Sequence, residues 1–188
     1  MPNYPVGPNP GNGAAFNASN SGLLFSGGNQ AVVATALSAG VPTTYTGGLV
    51  LYNPLASPVN LILQEVRVAF VVAQTNAAVI GLGLGTSGTA LAGTLTAVPS
   101  FNNNPGSSNT ANGLLYSSAS IALPVAPYLA RIIGAVDTGA LTTGVTGSGL
   151  ALALNGGVLL TPGSFAVILS SAAGTASSLF ASFVWVET

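Results

Sequence analysis

Residues Val59 to Ala73 read VNLILQEVRVAFVVA, and a two-residue period runs through them. Ile62, Gln64, Val66, Val68, Phe70 and Val72 fall on one face, with Leu63, Glu65 and Arg67 on the other, which is the alternation of a strand buried on one side. One face is expected to meet a core. The other carries a pair of opposite charges.

The same grammar continues on both sides of this segment. Gly48 to Asn53, Ala78 to Gly85, Leu91 to Val98, Leu114 to Leu123, Tyr128 to Asp137, Gly149 to Leu154, Ser164 to Ser170 and Ser178 to Val186 are apolar or β-branched runs separated by Gly, Pro and Asn, and Ala31 to Leu37 precedes them. In Phe165-Ala166-Val167-Ile168-Leu169 the odd positions face one way and Ser164, Ala166 and Ser170 the other. Thr161-Pro162-Gly163-Ser164 before it has proline and glycine where a type II turn needs them, so a hairpin is expected there. Strands without a charge-decorated amphipathic helix predict an all-β antiparallel β-sandwich spanning residues 31–188. Pro99 to Gly113 (PSFNNNPGSSNTANG) is the longest run of turn residues in this body, and is expected to be an exposed contact loop with Phe101 in it.

Residues 1–30 read differently. Pro2, Pro5, Pro8 and Pro10 are followed by a stretch rich in Asn and Gly, which cannot bury a periodic apolar face. An extended arm is expected, anchored by Phe16, Leu23, Leu24 and Phe25. The opening MPNYPVGPNP has neither the basic nor the apolar region of a signal peptide.

Charge is the scarcest commodity in the chain. Of 188 residues only two are basic (Arg67, Arg131) and three acidic (Glu65, Asp137, Glu187), with no histidine and no cysteine, for a net charge of −1. An ordinary domain is about 25% charged. Without histidine, cysteine or lysine there is no Ser-His-Asp triad, no thiolate site and no substitute base, so no catalytic residue, cofactor or metal is expected. Two separated arginines make no phosphate-neutralising patch, which argues against a nucleic-acid partner. Mean hydropathy is positive, yet the longest uncharged stretch, Ala77 to Val98, holds Gly81, Gly83, Gly85, Gly88 and Gly93. That is poor material for a spanning helix, and no membrane partner is expected.

Three patterns invite a functional interpretation. Gly83-Leu84-Gly85-Thr86-Ser87-Gly88 matches GxGxxG but has no helix after it and no acid about twenty residues on, so a glycine-bent strand is expected instead of a nucleotide loop. Glu65 and Arg67, at i and i+2, are expected to form a surface or interface ion pair, and Arg131 and Asp137 share a face if their strand is regular. Tyr45, Tyr52, Tyr116, Tyr128 and Trp185 could stack sugars, but each lies in or beside an apolar strand, where core and interface roles are commoner.

Gly48-Leu49-Val50-Leu51-Tyr52-Asn53-Pro54, Val59-Asn60-Leu61-Ile62-Leu63, Pro162-Gly163 before Phe165-Ala166-Val167-Ile168-Leu169, and the ending Leu179-Phe180-Ala181-Ser182-Phe183-Val184-Trp185 together resemble small virion proteins of tailed bacteriophages. The resemblance runs from Gly48 to the C-terminus; the chain departs from that group in having even fewer charges. It implies a β-sandwich or jelly-roll-like head decoration (cement) protein, typically oligomeric and lying on the major capsid protein; the leading expectation is a non-enzymatic homotrimer on the outer surface of the capsid. The alternatives are a tail- or fibre-associated glycan-binding module and a surface-array protein. Phe16, Leu24, Phe25, Glu65, Arg67, Phe101, Arg131, Asp137, Trp185 and Glu187 are the expected contact residues.

Overall fold

The computed structural model of the chain describes residues 14–29, 33–34, 40, 44–45, 48–72, 77–117, 121–136, 149–172 and 178–188. One short helix, α1 (Ala14–Asn20), precedes β1 (Leu24–Gly28), β2 (Val33–Ala34), β3 (Thr44–Tyr45), β4 (Leu49–Tyr52), β5 (Leu61–Val72) and β6 (Ala78–Thr86). Then come β7 (Ala92–Gly93), β8 (Ala97–Val98), β9 (Phe101–Asn102), β10 (Leu114–Ser117) and β11 (Ile121–Ala122). Four long strands close the chain: β12 (Tyr128–Val136), β13 (Gly149–Leu160), β14 (Ser164–Ser170) and β15 (Ser178–Glu187).

The expected all-β sandwich is what forms. One sheet runs β13-β5-β15-β1-β9 with β2 also on β15, the second runs β12-β6-β14-β4-β10-β8, and a three-stranded sheet β3-β11-β7 lies apart. Strands of the first half pair in reverse order with strands of the second: β1 with β15, β4 with β14, β5 with β13, β6 with β12, all antiparallel. The chain is thus one long double-stranded ribbon, rolled so that its successive pairs alternate between the two sheets. The main core fills the space between the sheets, with Leu63, Val66, Val68, Ile80, Leu82, Ile168, Phe183 and Trp185 buried in it.

Residues 87–127, inserted between β6 and β12, carry β7 to β11. They build a second core on the outer face of the second sheet, where Leu91, Ile121 and Leu123 cover Val50, Tyr52, Phe165, Val167 and Leu169. Every residue of β14 is therefore buried: Ala166 and Ile168 enter the main core while Phe165, Val167 and Leu169 enter the second. The expected alternation in β14 is present, but both faces are inside.

Three expectations change. The faces of β5 do not run unbroken, because its partner register skips Gln64: Trp185 lies opposite Leu63 and Val184 opposite Glu65. That bulge exchanges the faces, so Leu61 and Leu63 share the core with Val66, Val68 and Phe70 while Ile62 and Gln64 turn outward. The turn at Thr161–Ser164 has Gly163 at φ +84 and a Ser164 N–H bond to the Thr161 carbonyl, yet β13 and β14 belong to different sheets. It is a corner between sheets and not a hairpin. Lastly, residues 24–28 of the expected arm form β1, which pairs with β15 on one side and β9 on the other.

The helix ends in a Schellman motif. Gly22, at φ +67, donates from its N–H to Ser19, and Leu23 donates to Ala18, so glycine takes the left-handed position that a side chain resists. Ala18 then packs on Leu24 and Val186, with Ile62 and Val184 against them. Residues 1–13 and Gln30 of the expected arm, most of the strand expected at Ala31 to Leu37, and Asp137 lie outside the described residues.

Candidate assembly surface

The contact residues expected from the sequence separate into an internal group and an exposed group. Phe25 and Trp185 lie opposite each other across β1 and β15, their rings stacked at 6.1 Å, and both are buried. Glu187 is buried beside them. Its carboxylate accepts from the Asn112 N–H (2.8 Å), the Asn112 side-chain amide (2.8 Å), the Gly113 N–H (2.9 Å) and the Trp185 indole N–H (3.1 Å). This carboxylate is thus used entirely within its own chain, fastening the end of the Pro99 to Gly113 loop to β15. Leu24 is buried under α1.

That loop is exposed along most of its length and is ordered by its asparagines. The Asn102 amide donates to the Gly22 carbonyl (2.9 Å) and the Asn109 amide donates to the same carbonyl (3.1 Å), while Ser26 donates to the Asn103 side chain (2.6 Å). Asn104 accepts from Gly106 and donates to Asn20. The amides of Asn102, Asn104 and Asn109 and the side-chain oxygen of Asn103 thus tie the loop to α1, the turn after it and β1. Phe101, on β9, stands exposed at 53%.

Among the exposed group, Glu65 and Arg67 form the expected ion pair at 2.5 Å on the outer face of the first sheet, with the arginine side chain 66% exposed. Around them Ala69, Ala151, Ser182 and Phe180 line a shallow depression of about 430 Å³. Arg131 is exposed on β12 and its Nη1 donates to the Ala130 carbonyl. Two register shifts, at Ala130 and Ile133, make this strand irregular. Phe16 is exposed on α1.

The aromatic platform does not assemble among the described residues. Trp185 and Tyr52 are buried and Tyr128 is exposed on β12; the side chain of Tyr45 lies outside the described residues. Tyr116 packs against the second core beside Tyr52. Burial, and secondarily the Tyr52 phenol, raise its pKa above the ordinary 10.0. The Tyr52 hydroxyl has no hydrogen-bond partner among the described residues. The GxGxxG stretch offers no phosphate cradle either: a Cβ at Gly83 would lie 2.6 Å from the Leu169 side chain, and one at Gly85 2.3 Å from the Phe165 ring. These glycines make room for the second core.

The two sides of the sandwich are finished differently. On one, the insertion adds β9 beyond β1 and β10 with β8 beyond β4, so the edges there are two-residue strands, too short to offer much of a ladder. On the other, β12 and β13 each pair on one side only among the described strands. Here Tyr128, Leu129, Ile132 and Val79 are exposed, Leu129 and Ile132 at 52% and 61%. Leu129, Ile132 and Val79 were not among the contacts expected from the sequence, although residues 128–136 (YLARIIGAV) are apolar at both parities, a signal that could have shown the first two. Comparison with family models, curated proteins and solved structures finds no match.

Proposed function

We propose that this protein is a non-enzymatic structural protein of a tailed-phage virion, which decorates the outer surface of the capsid and cements it by binding the major capsid protein. In this reading the rolled ribbon is a jelly roll and the decorating unit is a homotrimer. The observation that carries the proposal is the unequal finish of the sandwich. One side is edged, among the described strands, by the two-residue β8 and β9 that the insertion supplies. The other leaves Tyr128, Leu129, Ile132 and Val79 exposed, with Arg131 as the one charged residue among them. Monomeric proteins rarely leave apolar groups clustered in water, and a neighbour is the usual reason.

Scarce charge supports the same reading. With five charged side chains in 188 residues, attachment must rest on shape and apolar burial, which suits a permanent neighbour better than an exchanging one. The test is the amount of this chain in purified particles. Copies comparable in number to the major capsid protein are expected; a handful of copies per particle, or recovery from cell envelopes instead of particles, refutes the decoration role.

A further inference from the structure

We propose that the open edge of β13 is a self-association site, where residues 150–154 pair antiparallel with the same residues of a second copy across a twofold axis at Leu152. The proposal rests on the edge itself and is independent of the capsid reading.

Residues 150–154 are Leu-Ala-Leu-Ala-Leu, the same in either direction. On β13 residues 150–153 pair with β5 without a register shift, Leu154 opens the bulge that follows, and no described strand is hydrogen-bonded to their other side, although β12 approaches on the inner face with Gly134 against the Leu150 side chain. A twofold contact requires a surface to complement itself. Centred on Leu152, antiparallel pairing puts Leu150 opposite the second copy's Leu154, Leu152 opposite itself and Ala151 opposite Ala153. The half-buried leucines, which pack against the main core, then meet leucines and lose their remaining exposure. On the outer face, exposed alanine meets exposed alanine. The edge backbone groups, which no described strand pairs, gain a ladder.

Charge does not oppose the same arrangement. No charged residue occurs between Asp137 and Glu187, so this edge lacks the lysines and prolines that normally prevent such pairing. The register places Ala151 beside Arg67 and Ala153 beside Glu65. In the pair, each Arg67 therefore lies in one row with the other copy's Glu65, about 14 Å away across three strand spacings with only alanines between. Both rows are complementary in sign. β12, the other open edge, is a poor candidate for the same contact because its two bulges interrupt the ladder and a twofold would bring Arg131 towards its own copy. The contact is twofold, so it is separate from any threefold contact of the proposed trimer.

The chain has no cysteine, so an introduced one reports its own neighbour. Leu152→Cys, on the axis, is expected to give a disulfide-linked dimer under mild oxidation, since directly opposed strand residues fall within disulfide reach. Ala90→Cys, exposed within the insertion, is the control and is expected to give little. In sedimentation of the full chain, Ala151→Lys/Ala153→Lys is expected to weaken association at least tenfold by setting like charges opposite each other, and mixing it with Ala151→Glu/Ala153→Glu is expected to restore it. Equal cross-linking of the two cysteine variants, a wild-type chain that stays monomeric, or lysine variants that associate as the wild type does would each overturn the proposal.

Discussion

At the residue scale the clearest dependence is on Glu187. Four donor groups from Asn112, Gly113 and Trp185 converge on its buried carboxylate. A neutral amide there has one acceptor oxygen and brings two donors of its own, so Glu187→Gln strands buried N–H groups and is expected to cost about 2–3 kcal/mol in denaturant unfolding. An unchanged midpoint would contradict this role. Tyr116 supplies the pH dependence. Its raised pKa means that the folded state holds the phenolic proton more tightly than the unfolded chain. Stability is then level below about pH 10 and falls as pH rises through the shifted value. Tyr116→Phe is expected to remove that share of the alkaline loss, and equal slopes for the two proteins above about pH 10 would contradict it. The Glu65–Arg67 pair was legible in the sequence from its i, i+2 spacing on one strand, but the partners of Glu187 were not. Glu187 meets Asn112 from 75 positions away, and no local pattern announces that pairing.

At the element scale, period and turn chemistry located most of the long strands, and Ser164–Ser170 falls where the alternation placed it. What escaped was what depends on a partner. The bulge at Gln64 coincides with extra residues that β13 carries between Ala153 and Val158, with Asn155 and Gly156 at positive φ, and the alternation of β5 gives no sign of it. The two-residue strands β8 and β9 are defined by the longer strands beside them, β10 and β1, and β7 by the equally short β11. α1 is seven residues long without a charge, too short and too plain to be seen before its capping glycine is placed. The glycines of β6 make a sharp element-level prediction. Gly85→Ala drives a Cβ into the Phe165 ring and Gly83→Ala into Leu169, so each is expected to cost about 1–3 kcal/mol by overpacking. Gly88→Ala, in open space, is the control. Equal melting temperatures for all three would mean that the second core does not close as described.

At the scale of the whole molecule, the sandwich was legible because apolar alternation and turn residues agree along most of the chain. The extra layer was not, since nothing in residues 87–127 says which outer face they will cover. Among the described residues that layer gives one side the short edges β8 and β9 and leaves the long edges β12 and β13 on the other, and with so few charges a neighbour proposed for that side would be held by apolar and backbone contacts. Such contacts respond little to ionic strength, unlike charge pairs. The most direct measurement is co-sedimentation of the purified protein with purified capsids that lack it, at low salt and at about 1 M NaCl. Saturable binding with the same affinity at both salts is predicted; failure to bind, or release at high salt, would contradict the account.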